Sequence, residues 1–357
     1  MLKQKKKHID LTTDFLTIPE HYESPLDLKK TQEAIDLIKE TFRRGLAKAL
    51  NLSRVSAPIM VYANSGINDD LNGIERPVSF PLGATGETGE IVQSLAKWKR
   101  MALADYDFEP GEGLYANMNA VRPDELPDKF HSLYVDQWDW ERIMGEDERN
   151  SKFLEYIVQE IYTVIRDTEK IVCEHYPGLP EPYLPEKIHF ITAEALLQRY
   201  PDKCPKERET ALAKEFGAIF IRGIGAPLSN GKPHDGRAAD YDDWSTPAED
   251  GHPGLNGDII IYNRILDTAM ELSSMGIRVN REALLRQLKQ KKEMHKTKLY
   301  FHKRLLNGEL PQTIGGGIGQ SRLCMFFLRK VHIGEVHSSI WPDEIRKICR
   351  DHNIHLL

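Results

Sequence analysis

The chain has 357 residues, of which 40% are hydrophobic and 29% charged, with a formal net charge of −6. That balance argues against a protein that holds nucleic acid through many phosphates, since such chains carry a basic surplus. Four scattered cysteines (Cys173, Cys204, Cys324, Cys349) with no CxxC pair argue against a zinc knuckle or a secreted disulfide framework, and no apolar run is long enough for a membrane helix.

Residues 1–27 are polar and irregular and read as an extension packed on the surface of a single domain over 28–357. The basic start Lys3 to Lys7 has no apolar stretch behind it, so it is no secretory signal, and a cytosolic protein is expected. From Thr31 the spacing of Ile35, Ile38, Phe42, Leu46 and Ala49 predicts a helix. A strand over 54–61 follows, with Pro58 marking it as an edge or interface strand. Residues 66–90, rich in Gly, Asp and Asn, read as a mobile loop.

Further strands are predicted over 114–121, 132–138, 187–192, 218–223 and 258–262, with helices near 148–175 and 280–306. Phe153, Ile157, Ile161 and Ile165 give the first of these helices its apolar face. The regular alternation of a doubly wound fold is missing. An α+β fold is therefore expected: a mixed, mostly antiparallel sheet flanked by helices.

No P-loop, dinucleotide fingerprint, zinc helix or Gly-x-Ser-x-Gly elbow is present. The densest constellation is Pro311 to Leu323, where Gly315, Gly316, Gly317 and Gly319 weaken a strand that must need bare backbone, as for a flat ligand. Arg322 then opens a helix, where it can stack on a base, neutralise phosphate, or stand as a plain surface charge. Arg122, ending a strand, suits a phosphate clamp or an edge salt bridge. Asp258, with Glu271 and Ser274 beyond it, offers either the two acids that Mg²⁺ needs to bridge ATP phosphates or, each taken alone, a turn residue or a surface charge.

In the stretch His131 to Glu141, a period of two puts Val135, Gln137 and Asp139 on one face and Asp136, Trp138 and Trp140 on the other. The polar groups there need partners, either a polar substrate or an internal network with Lys99 or Arg100. The loop His234 to Trp244 carries Asp235, Asp240, Asp242 and Asp243, and both metal binding and recognition of an ammonium group are open.

Together these segments resemble the three signature motifs of class II aminoacyl-tRNA synthetases: the 31–50 helix with its strand, Arg122 in its strand, and Gly315 to Arg322. Five blocks, 94–100, 134–141, 240–247, 254–258 and 312–323, are similar in order to one family in particular, the ammonia-dependent aspartate–ammonia ligases (asparagine synthetase A). The resemblance implies a class II synthetase-like catalytic core that makes L-asparagine from L-aspartate, ATP and ammonia through β-aspartyl-AMP. It also implies a homodimer, with the first helix at the interface, and no nucleic acid or membrane partner.

By the same resemblance Ser94, Lys99, Gln137, Asp139, Asp242 and Gly317 line the aspartate pocket. Arg122, Ser132, Asp258, Glu271, Ser274 and Arg322 hold ATP and Mg²⁺, with Asp258 and Glu271 as the metal ligands. Catalytic roles fall to Arg122, Gln137 and Arg322, and to Asp69, or its neighbour Asp70, as acceptor of the ammonium proton. Gln93 stands where the family commonly has histidine. An aspartyl-tRNA synthetase would place an anticodon-binding barrel before the first helix, for which residues 1–30 leave no room. The glutamine-dependent route needs a cysteine after the initiator methionine, and residue 2 is Leu.

Overall fold

The computed structural model describes residues 16–69, 71 and 75–357. Lys3 to Lys7 and Asp70 lie outside them. The chain enters the fold by way of residues 16–27, where Leu16, Ile18 and Tyr22 pack against the core and the Tyr22 hydroxyl donates to Glu335 at 2.9 Å.

Helix α1 (Leu28–Leu50) begins where the Asp27 carboxylate accepts the Lys30 N–H, satisfying one of the orphan donors of the first turn. Its buried face, Ala34, Ile38, Phe42 and Leu46, recurs every four residues and packs on helix α3 (Ser151–His175). α3 is capped in the same way by Asn150 and buries Leu154, Ile157, Val158, Ile161 and Ile165.

Between these helices lie strands β1 (Leu52–Arg54), β2 (Met60–Tyr62), β3 (Ser79–Pro81) and β4 (Thr88–Ile91), helix α2 (Ala96–Asp105), and strands β5 (Gly113–Val121) and β6 (Tyr134–Ile143). After α3 come β7 (His189–Thr192), α4 (Ala193–Arg199), α5 (Pro205–Phe216), β8 (Ala218–Arg222), β9 (Asn256–Asn263) and β10 (Thr268–Ile277). The chain closes with α6 (Arg281–Gln290), α7 (Tyr300–Leu306), β11 (Thr313–Gly319), α8 (Gln320–Phe327) and α9 (Asp343–Asp351).

Eight strands form one sheet in the order β1-β5-β6-β11-β10-β9-β8-β7. Only the outer pairs β1–β5 and β7–β8 are parallel, so the expected mostly antiparallel sheet is present. Alternation along the strands covers both faces of its β8–β9 part. Phe220, Ile259 and Ile261 join the core under α1, α3 and α8, whereas Ile219, Ile221 and Ile260 pack against Leu212 and Ala213 of α5. Among the described residues no helix is long and apolar enough to cross a membrane.

Three expectations need correction. The strand over 54–61 is two strands in different sheets: Val55 still donates to Tyr115, but the chain leaves the large sheet before Pro58, which has no N–H to give. The loop expected over 66–90 contains β3 and β4, which pair as a hairpin and join β2 in a small sheet. The turn is made by Gly86 at φ +71°, where Leu82 donates to Glu87. The helix over 280–306 breaks after Gln290. The run Lys289 to Lys292 is exposed and has no apolar stripe to bury, and Lys292 adopts φ +61°. The break lets α7 turn His302 fully inward.

Candidate active site

The floor of the site is the centre of the large sheet. β6 pairs with β11 so that Glu141 opposes Gly315 and Asp139 opposes Gly317. Neighbouring side chains account for three glycines of the run. A Cβ at Gly315 would collide with the Glu141 carboxylate, one at Gly317 with the Gln137 amide, and one at Gly316, on the other face, would lie 2.5 Å from the Met275 Cβ. The bare strand lets β6 project three long polar side chains over it.

Two of them, Asp139 and Glu141, enter a buried ionic network. The Lys99 ammonium, fully buried on α2, donates to the Asp139 carboxylate, to Trp140 O at 2.8 Å and to Gly316 O at 3.2 Å, and lies 3.6 Å from Glu141. Arg278, just past β10, forks onto Glu141 (2.8 Å) and also bonds Asp242. Burial alone would raise the Glu141 carboxyl, but Arg278 and Lys99 hold it below its ordinary range. Asp242 carries the opposite balance: burial pushes it up in spite of Arg278 and Arg237.

On the helix-facing side, Trp138 meets Phe42 with ring centroids 4.7 Å apart. On that same face Asp136 accepts from Lys39 of α1 (3.0 Å) and from the Ser321 hydroxyl of α8 (2.6 Å). The period-two face assignment of this strand therefore holds.

Above the floor opens a cleft of about 340 Å³. Eleven of the thirteen expected site residues line it: Asp69, Ser94, Arg122, Ser132, Gln137, Asp139, Asp242, Glu271, Ser274, Gly317 and Arg322. Lys99 does not, because it stands behind Asp139 with every direction occupied by protein acceptors. It supports the pocket rather than lining it. Asp258 is also off the wall: both of its oxygens accept from Arg237, at 2.5 and 2.6 Å.

Arg122 follows the last residue of β5, with its backbone N–H on Leu133 O and its Nε buried without a partner among the described residues. It separates the cleft from a second hollow of about 330 Å³ that Arg76, Arg237 and Tyr241 also line. Arg322 donates to Glu271 O at 2.9 Å from the first turn of α8. Ser132 is buried against Ser339 at 2.6 Å.

Asp69 is held in place by its neighbours. Asn68 Oδ1 accepts the Asp69 and Gln93 N–H groups, Asn68 Nδ2 donates to Glu90 and Ile91 O, and the Gln93 amide donates to Asp69 O at 2.9 Å. Gln93 thus anchors this loop. The acidic loop 235–243 is neutralised by protein cations: Asp240 by Lys97 (3.0 Å) and His302, Asp242 by Arg278, and Asp243 by Arg149.

For a metal the donor set is two carboxylates. Asp258 opposes Ser274 across β9 and β10, and Glu271 lies one bulge away. Burial, and then the nearby Glu271 charge, push the Asp258 carboxyl up to about 6 against the pull of Arg237. Among the described residues no cluster of three or more His, Cys, Asp or Glu could close a protein-only metal cage. Glu271 faces the cleft, and with Asp258 released from Arg237 the two mutually repelling acids suit a hard cation shared with phosphate oxygens.

Arg278, Tyr241, Arg237, Lys97 and His337 belong to this site or its support and were not expected. Their partners lie far away in sequence, and no spacing announces them.

The depressed carboxylates fix a pH response. Burial works against Asp136, Glu141 and Asp240, yet Lys39, Arg278 and Lys97 respectively hold each below its ordinary range. Such groups stabilise the fold above their unfolded values and lose that contribution as they protonate. Urea midpoints are expected to stay level from about pH 7 to 5 and to fall steeply below about pH 4. A midpoint unchanged at pH 3.5 would show that these pairs contribute no net stability.

The sequence profile of the family described as aspartate-ammonia ligase matches residues 29–353. Curated relatives include an aspartate–ammonia ligase of Parabacteroides distasonis, 58% identical over 337 residues, covering 94% of this chain and 97% of the relative. Another, from Bacteroides fragilis, is 56% identical over 344 residues, covering 96% and 99%.

Among solved structures, the asparaginyl-tRNA synthetase of Entamoeba histolytica in complex with asparaginyl-adenylate superposes with a TM-score of 0.61 at 17% identity. The asparaginyl-tRNA synthetase of Pyrococcus horikoshii, complexed with asparaginyl-adenylate, gives 0.62 at 16%. This chain is covered to 87% and 88%, but spans only 66% and 70% of those chains. The likeness establishes the class II synthetase fold of the core. With identity above one half along nearly its whole length, the chain belongs to the aspartate–ammonia ligase family.

Proposed function

We propose that the cleft makes L-asparagine from L-aspartate, ATP and ammonia in two steps. The observation that carries the reading is the meeting, in one cleft, of two arginines (Arg122, Arg322) with the polar wall of Ser94, Gln137, Asp139 and Asp242 and the anchored Asp69. In the first step a side-chain oxygen of aspartate bonds to the α-phosphorus of ATP and the bond to pyrophosphate breaks. Arg122 and Arg322 stabilise the charge that develops, and positioning by Ser94, Gln137 and Asp139 supplies much of the rest. Asp258 and Glu271 would hold Mg²⁺, which when bound neutralises phosphate charge.

In the second step the nitrogen of ammonia bonds to the activated carbonyl carbon and AMP leaves with the electrons of the broken C–O bond. Ammonium has no lone pair, so a carboxylate must first take its proton, and Asp69 is the candidate in the cleft. The same reading carries a cytosolic homodimer, supported by the apolar side chains of Leu28, Ile59 and Met60 exposed at and after α1.

The test follows AMP, pyrophosphate and asparagine with aspartate, ATP and Mg²⁺, with and without ammonium chloride. Ammonium-dependent asparagine matched by AMP is expected; ADP in its place would sink the reading. Asp69→Asn is expected to keep aspartate-driven ATP–pyrophosphate exchange while lowering asparagine formation by about 10²–10⁴-fold. Full asparagine synthesis by that variant at neutral pH would remove Asp69 from the role.

A further inference from the structure

A further cavity, of about 240 Å³, adjoins the cleft at Asp69, which is in the wall of both. We propose that this cavity is the binding and delivery site for ammonium, which reaches Asp69 from it while aspartate and ATP fill the cleft. The proposal rests on the reading of the cleft given above.

Charge and hydrogen-bonding capacity both point to a small cation. Three carboxylates line the cavity (Asp69, Glu90 and Asp240) against two ammonium groups, Lys97 and Lys296. Both of those lysines are engaged with acids, Lys97 on Asp240 at 3.0 Å and Lys296 on Glu293 at 2.9 Å. Asp240 and His302 are fully buried in the wall, and each keeps one polar atom without a partner among the described residues, Asp240 Oδ1 and His302 Nδ1. Lys97 and His302 Nε2 (2.9 Å) both use the other Asp240 oxygen, Oδ2.

Because a carboxylate only accepts, His302 Nε2 carries the proton of that bond, and Nδ1 is the ring nitrogen left without a partner among the described residues. Gly66 keeps the space beside that nitrogen open: a Cβ at this residue, whose φ is +74°, would stand 2.9 Å from Nδ1 and 2.8 Å from the Leu299 Cβ. The unpartnered Asp240 oxygen and the surplus of carboxylates over ammonium groups on the wall suit a tetrahedral ammonium ion, which has four N–H donors and no acceptor. An apolar or anionic ligand would leave the same atoms unpaired.

Two substitutions test the route without touching the cleft. Glu90→Gln removes a charge but keeps an oxygen to accept the 3.1 Å bond from Asn68. Leu299→Trp fills the cavity from its wall. The readouts are KM for ammonium chloride at saturating aspartate and ATP, ATP–pyrophosphate exchange without ammonium, and the melting temperature. The expected result is an ammonium KM raised at least about threefold in Glu90→Gln and about tenfold or more in Leu299→Trp, with exchange within about twofold of wild type.

An ammonium KM within twofold of wild type in Glu90→Gln and in folded Leu299→Trp would overturn the proposal. So would loss of exchange in a folded variant, since the cavity would then serve adenylation. If Leu299→Trp does not fold, Glu90→Gln decides on the same readout. Failure of the wild-type protein to exchange pyrophosphate with aspartate would instead count against the reading of the cleft itself.

Discussion

Arg122→Ala is expected to lower aspartate-dependent ATP–pyrophosphate exchange by about 10²–10³-fold while moving the melting temperature by no more than about 2 °C. The asymmetry follows from what the side chain does in the free protein. Its backbone is tied to Leu133, so the strand end stays formed without the guanidinium. Its Nε has no partner among the described residues, and its side chain faces both hollows. Removing it therefore leaves no buried carboxylate exposed, but takes away a fork that meets phosphate oxygens as charge shifts onto them. Arg122→Lys should recover part of the rate, since charge returns without the planar fork. Equal losses in exchange and in thermal stability would mean that Arg122 is a structural residue.

Lys99→Met is expected to do the reverse, lowering unfolding free energy by about 3–5 kcal/mol. Methionine fills most of the lysine's volume, so packing is largely kept. What is lost is the cation among Asp139, Glu141 and two backbone carbonyls, all of them away from water. Glu141 keeps Arg278, but among the described residues Asp139 makes no second ion pair and feels Arg278 only from a distance. The remaining charge is then buried unpaired, the costliest outcome for an ion pair. Asparagine synthesis should fall with it, because Asp139 also accepts the Leu95 N–H and so fixes the start of α2 beside Ser94. Urea denaturation at pH 7 is the measurement, and a midpoint like that of the unsubstituted protein would show that the network relaxes around the loss.

The helices were legible because their cause is local. Ile38, Phe42 and Leu46 repeat at the period of the α-helix, and the predicted bounds of that element and of α3 fall within three residues of those observed. The order of Arg122, Glu271, Gly317 and Arg322 along the chain was enough, through family resemblance, to bring them to one cleft. Arg278 was not legible, because its partners Glu141 and Asp242 lie 137 and 36 residues away and nothing in Ile277-Arg278-Val279 marks a buried fork. Family resemblance puts Lys99 on the pocket wall, whereas the other reading of the stretch 131–141, an internal network with Lys99 or Arg100, is the one the structure shows. The burial of Lys99 depends on β6 and β11 closing over it, which is a property of the sheet. The hairpin at 79–91 escaped for a different reason: its strands are three and four residues long and half-exposed, too short for alternation to stand out from a polar loop.

The pairing of β6 with β11 has a consequence for the life of the chain before it is whole. Asp139 and Gly317 are neighbours in the sheet but are made far apart in time, since synthesis runs from the N-terminus. Until β11 leaves the ribosome, β6 and β10 each present an open edge, and Lys99 and Glu141 have no roof. Contacts of such long sequence separation form slowly. Nascent chains that stop short of residue 313 are therefore expected to associate through these edges and to require chaperone protection that the completed sheet does not.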